Sequence, residues 1–213
     1  AATATICSNN VAVGACAMVA NTQGQDNVAI GLKAGATQVA AGCNNTYIGS
    51  QAGEVALCRD NTLVGAYAGT AQTNGVGNTM VGTCVGYGMT TGSGNVFLGN
   101  KSGLNNSTGS GNVFIGECSG CGSTDSCCLI IGNGTCDIIT GSFNTPYISM
   151  IGCVGIGTTA PVEELHIHCS GGAPTTMRIT NATTGATTGD GLEITVNGVG
   201  LAAIANKEDT NMV

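Results

Sequence analysis

The chain has 213 residues, of which five are basic, twelve acidic and seven aromatic, with 36 glycines and a formal net charge of −7. That balance excludes a nucleic-acid-binding surface, which needs a basic face. High apolar content with few charges excludes a disordered chain and is unlike an ordinary enzyme domain, and no apolar run reaches the ~18 residues of a membrane-spanning helix.

Residues 1–9 read as an irregular lead-in. From Asn10 a short phrase returns at a near-constant step: Asn10-Val11-Ala12-Val13-Gly14, Asn27-Val28-Ala29-Ile30-Gly31, Asn45-Thr46-Tyr47-Ile48-Gly49 and Asn61-Thr62-Leu63-Val64-Gly65. It continues as Asn78-Thr79-Met80-Val81-Gly82, Asn95-Val96-Phe97-Leu98-Gly99 and Asn112-Val113-Phe114-Ile115-Gly116, with a degraded eighth copy at Cys128-Leu129-Ile130-Ile131-Gly132. In six copies a second glycine follows four residues on, at Gly35, Gly53, Gly69, Gly86, Gly103 and Gly120. A step of about 17 is too short for a helix pair, and interior glycines cost a helix ~1 kcal/mol each. The expectation is an all-β chain: a β-solenoid, or β-roll, of about eight coils over residues 10–135, stacked at about 4.8 Å.

Strand side chains alternate faces. The residue before each closing glycine is Val, Ile or Leu, and the one two earlier is Val, Thr or Leu; these two slots are expected to fill the coil. The slot between them then points outward as an apolar stripe: Tyr47, Leu63, Met80, Phe97, Phe114 and Ile130. One chain has nothing to cover such a stripe, so copies of the chain are expected to pack through it, three about an axis. The Asn ladder (Asn27, Asn45, Asn61, Asn78, Asn95, Asn112) suits turns, with amides bonding backbone and one another along the axis. The closing glycines Gly31, Gly49, Gly65, Gly82, Gly99 and Gly116 are expected at positive φ or where the next coil leaves no room for Cβ.

These repeats, with the joints Thr90-Thr91-Gly92-Ser93-Gly94-Asn95 and Ser107-Thr108-Gly109-Ser110-Gly111-Asn112, resemble those of phage and large-virus tail fibres. They are also similar to the head repeats of trimeric autotransporter adhesins. Val154-Gly155-Ile156-Gly157-Thr158-Thr159-Ala160-Pro161, followed by Leu165-His166-Ile167, resembles the short neck after such repeats. The resemblance spans roughly residues 10–169. It implies an elongated homotrimer, on a virion or outside a cell, with other virion proteins at its ends and a host glycan or protein as its target.

Past the repeats the period fails. Residues 136–152, containing Pro146, read as a transition, and residues 153–169 as the neck. Residues 170–213 read as a small β-module with strands at Met177–Thr180, Leu192–Val196 and Leu201–Ala205.

Twelve cysteines are present. Cys16, Cys84 and Cys118 share one repeat slot but lie two or more coils apart, too far for a disulfide among themselves. Disulfides within or between chains, and buried thiols acting as small apolar fillers, are both compatible with the pattern. Cys118-x-x-Cys121 before Cys127-Cys128 has the look of a zinc knuckle, but no histidine is near. His166-Ile167-His168 is the clearest metal candidate: in a parallel trimer it gives six imidazoles about one axis, enough for an octahedral transition metal. Otherwise no cofactor is expected. The acids Asp26, Glu54, Asp60, Glu117, Asp125 and Asp137 are scattered, with Glu54 and Asp60 nearest in repeat phase and Arg59 beside them. No nucleophile-base pattern or phosphate loop is present, so no catalytic activity is expected. A structural virion fibre, serving as a rigid trimeric spacer and attachment organ, is the first functional expectation. A cell-surface adhesin or self-assembling extracellular filament is the second. An ice-binding solenoid fits less well, because Thr does not recur in one slot through all coils.

Overall fold

The computed structural model describes residues 9–37, 42–55, 58–169, 171, 173–180, 192–197 and 202–206. It falls into two units, residues 1–151 and 152–213.

The first unit is the solenoid. Eight strands stack in chain order: β1 (Val11–Val13), β2 (Val28–Ile30), β3 (Thr46–Ile48), β4 (Thr62–Val64), β5 (Thr79–Val81), β6 (Val96–Leu98), β7 (Val113–Ile115) and β8 (Cys128–Gly132). Consecutive strands pair parallel and in register, Ala29 beside Tyr47 and Phe97 beside Phe114, which makes about seven turns. The sequence step equals one turn, so each repeat slot becomes a column. A second backbone ladder runs along the opposite wall without forming regular strands, Gly69 N donating to Val85 O and Gly86 N to Ser102 O.

The facing of the strand slots corrects the sequence expectation. Tyr47, Leu63, Met80, Phe97 and Phe114 are 0% exposed and form the coil interior, and Ile130 packs partly buried against them. They are not an outward stripe and cannot meet another copy. The flanking Val, Ile, Leu and Thr side chains point outward instead. The reason is parity: Asn27 and Ala29, or Asn95 and Phe97, are two apart and share a face, and the asparagines are also buried. A narrow coil gains most by filling itself from one column with its largest side chains. Phe97 and Phe114 stack face to face, centroids 4.9 Å apart and 4° from coplanar, one coil above the other.

The glycines follow from this. A Cβ on Gly53 would lie 2.6 Å from the Tyr47 ring, and Gly103 and Gly120 face Phe97 and Phe114 in the same way. The second glycine therefore makes room for the interior ring. The closing glycines adopt φ near +130°, and a Cβ on any of them would strike the carbonyl of the closing glycine one coil on.

One interior slot is frustrated. Gln72, Met89 and Asn106 occupy it in successive coils, all fully buried. Gln72 Nε2 donates to Asn61 Oδ1 at 3.3 Å. Asn106 is one methylene shorter, and neither its amide nitrogen nor its oxygen has a hydrogen-bond partner. A buried polar group left unpaired costs about 1–3 kcal/mol. Asn106→Met, which repeats the neighbouring coil's choice, should raise stability by about 1 kcal/mol, read as a higher urea midpoint.

After β8 the stretch read as a transition contains a hairpin. β9 (Asp137–Ser142) pairs antiparallel with β8, with a bulge at Ile131/Gly132, and β10 (Tyr147–Met150) pairs antiparallel with β9. The chain reverses direction here, which closes the series of parallel strands. Pro146 sits in the turn, where its missing N–H is not needed.

In the second unit, β11 (Val154–Ile156) and β12 (Leu165–Ile167) form a parallel pair within the expected neck. Strands β13 (Thr175–Ile179), β14 (Leu192–Val196) and β15 (Ala202–Asn206) form an antiparallel sheet. β13 begins two residues earlier than expected. Thr176 and Thr195 hydroxyls lie 3.1 Å apart, and Arg178 pairs with Glu193 at 2.6 Å.

Candidate functional site

The outward face of β1–β7 is the candidate site. Its first column is Val11, Val28, Thr46, Thr62, Thr79, Val96 and Val113; its second is Val13, Ile30, Ile48, Val64, Val81, Leu98 and Ile115. No charged residue stands in any of these strands. Ile30, Ile48 and Val81 remain 39%, 38% and 41% exposed even though column neighbours shield them on both sides. Three-residue strands stacked seven or eight deep give a face roughly 10 Å by 35 Å. β-branched side chains suit such a surface because their χ1 is already restricted, so ordering them costs little.

The Asn ladder fixes that face from behind. Asn78 Oδ1 accepts from Asn95 N at 2.9 Å and from Asn95 Nδ2 at 3.0 Å. Asn78 Nδ2 donates to Gly92 O at 2.9 Å. The pattern repeats at Asn27, Asn45 and Asn61. Asn112 ends the ladder, its Oδ1 accepting from Cys128 N. Each buried amide is paired to the next coil, so coil spacing and register are held by side chains as well as backbone. The residue before each ladder asparagine (Asp26, Asn44, Asp60, Gly77, Gly94, Gly111) takes a left-handed φ between 57° and 68°. The turn strain therefore falls on that neighbour and leaves the ladder residue itself to face inward.

The cysteines are distributed differently. Among the described residues, all eleven are free thiols. Cys58 is buried beside the Tyr47 hydroxyl; burial pushes its thiol from 9.0 up to about 12, against the smaller downward pull of the Tyr47 hydrogen bond. The unfolded chain then loses this proton near pH 9 while the folded chain keeps it, so folding stability falls as pH rises from 9 towards 12. Comparing urea midpoints across that range, Cys58→Ala should flatten the decline relative to the parent chain.

His166 lies within β12, half-buried, and His168 just beyond it, exposed. Their ring centroids are 6.0 Å apart and nearly perpendicular. Val162 N points at His166 Nδ1 at 3.4 Å, so Nε2 is that ring's open nitrogen. One chain thus offers a metal two imidazoles at most, and no group of three or more His, Cys, Asp or Glu side chains gathers among the described residues. The acids do not converge: Glu54 pairs with Lys33 at 3.2 Å, Asp60 lies 3.9 Å from Arg59, and Glu117 accepts from Asn100.

Fold and columns together define a β-solenoid repeat protein. No protein-family model, curated protein or solved structure matches the chain. Among the described residues no helix is long and apolar enough to cross a membrane.

Proposed function

We propose that the chain is a segment of a homotrimeric structural fibre on a virion surface: a rigid spacer that also serves attachment. The observation that carries this reading is the charge-free, apolar outward face of β1–β7. A contiguous apolar strip of this size marks an interaction surface, and identical chains present identical strips. Three copies about an axis parallel to the stack would bury all three strips at once and leave the turns outside. The repeat resemblance to tail fibres supports the trimer and the virion setting. A transition metal held by His166 and His168 would need imidazoles from more than one chain, because one chain offers two.

The test is native mass by light scattering on the full chain, with a Val81→Lys, Ile48→Lys double variant beside it. The reading expects a parent mass three times 20.8 kDa and a variant that keeps its β circular dichroism but falls to the monomer. A parent monomer whose outward face binds hydrophobic dye would overturn it.

A further inference from the structure

The seventh coil differs from the others at the turn after its closing glycine. In each coil the second and fifth residues after that glycine bracket a tight turn. These pairs are Cys16 and Val19, Lys33 and Ala36, Gln51 and Glu54, Tyr67 and Thr70, Cys84 and Tyr87, and Lys101 and Leu104. After Gly116 both positions are cysteine, in Cys118-Ser119-Gly120-Cys121. Cys121 N donates to Cys118 O at 3.0 Å, which closes the turn. The ends of a hydrogen-bonded β-turn lie within about 7 Å, close to the Cα separation a disulfide spans.

Both side chains are held for contact. Cys118 takes a left-handed φ of 52°, and its Cβ packs so closely on Gly134 that a Cβ there would come within 2.6 Å. The Cys121 thiol donates to Lys101 O at 3.1 Å. Cys16 and Cys84 share the Cys118 slot, but their turns end in Val19 and Tyr87 and carry no second thiol.

We propose that Cys118 and Cys121 are an oxidisable dithiol that closes to an intracoil disulfide, a covalent clip over the turn of the seventh coil. The oxidant is a small-molecule disulfide such as oxidised glutathione. The Cys118 thiolate, its proton gone to water, attacks one glutathione sulfur; the S–S bond of glutathione breaks and the first glutathione leaves as thiolate and takes up a proton. Cys121 then loses its proton and attacks the Cys118 sulfur, and the second glutathione departs in the same way. Two protein thiols and one oxidised glutathione become one protein disulfide and two reduced glutathiones. The order follows from the Cys121 S–H being engaged with Lys101 O, which makes Cys121 the resolving thiol. The inference does not depend on the fibre reading.

The full folded chain is equilibrated with oxidised glutathione, alkylated, digested without reductant and mapped by mass. The expected result is a peptide spanning Cys118 and Cys121, unlabelled and lighter by two hydrogens, with Cys84 lacking any link to another residue of its own turn. Cys121→Ser should instead trap glutathione on Cys118. The proposal is overturned if both thiols alkylate as fast after oxidation as before it, or if Cys118 is found bridged to another cysteine.

Discussion

Gly82→Ala should cost the solenoid about 4 kcal/mol, combining overpacking with strain in a region closed to L side chains. Gly82 has φ +144, and the added methyl would point into the Gly99 carbonyl, an atom fixed by the next coil's own ladder. Neither side can yield, because a shift of that carbonyl is passed to Gly116 and onward. Gly94→Ala is the control. Its φ is +65 and a Cβ there would meet nothing within 4 Å, so left-handed strain alone remains, about 1 kcal/mol. Urea unfolding of both variants reads the difference. Equal losses would mean that coil-to-coil contact at the closing glycine is not what the position requires.

Phe97→Ala is the second large effect. Phe97 is fully buried, stacked on Phe114 and pressed against Gly103. Truncation removes the ring from a coil whose backbone is pinned above and below, so the cavity cannot collapse. The loss should reach the upper part of the range for buried Phe→Ala, about 4–5 kcal/mol. Ile115→Ala, on the outward face one coil along, should leave the unfolding midpoint of a dissociated chain nearly unchanged. A small effect at Phe97 with a large one at Ile115 would reverse the facing described above.

That facing is where sequence reasoning went astray, and the reason is instructive. The two flanking slots share one face and are apolar or Thr throughout, so filling the coil with them turns the middle slot outward. The middle slot is itself apolar, from Ala29 to Phe114, which that assignment answers only with other copies of the chain. Inside a narrow coil the opposite wall also varies, so a column can hold anything from alanine to phenylalanine as long as each coil is filled. The parity signal was present. The asparagines recur two residues before the middle slot, and in six coils a glycine four residues past the closing glycine clears space for the middle side chain, as Gly103 does for Phe97. The hairpin of β9 and β10 was legible only as a broken period, because an antiparallel return carries no repeat to read.

The sequence by itself determined the all-β class, the parallel stacking, the register and the position of the closing glycines. A step of 17 with fixed glycines allows one way of laying coil on coil. Only the tertiary structure decided which strand face is interior, that Asn106 lacks the partner Gln72 finds, and that Cys118 and Cys121 meet across one turn. A period of two names two faces but not which one looks inward; that choice depends on the opposite wall of the coil, which a linear pattern does not show.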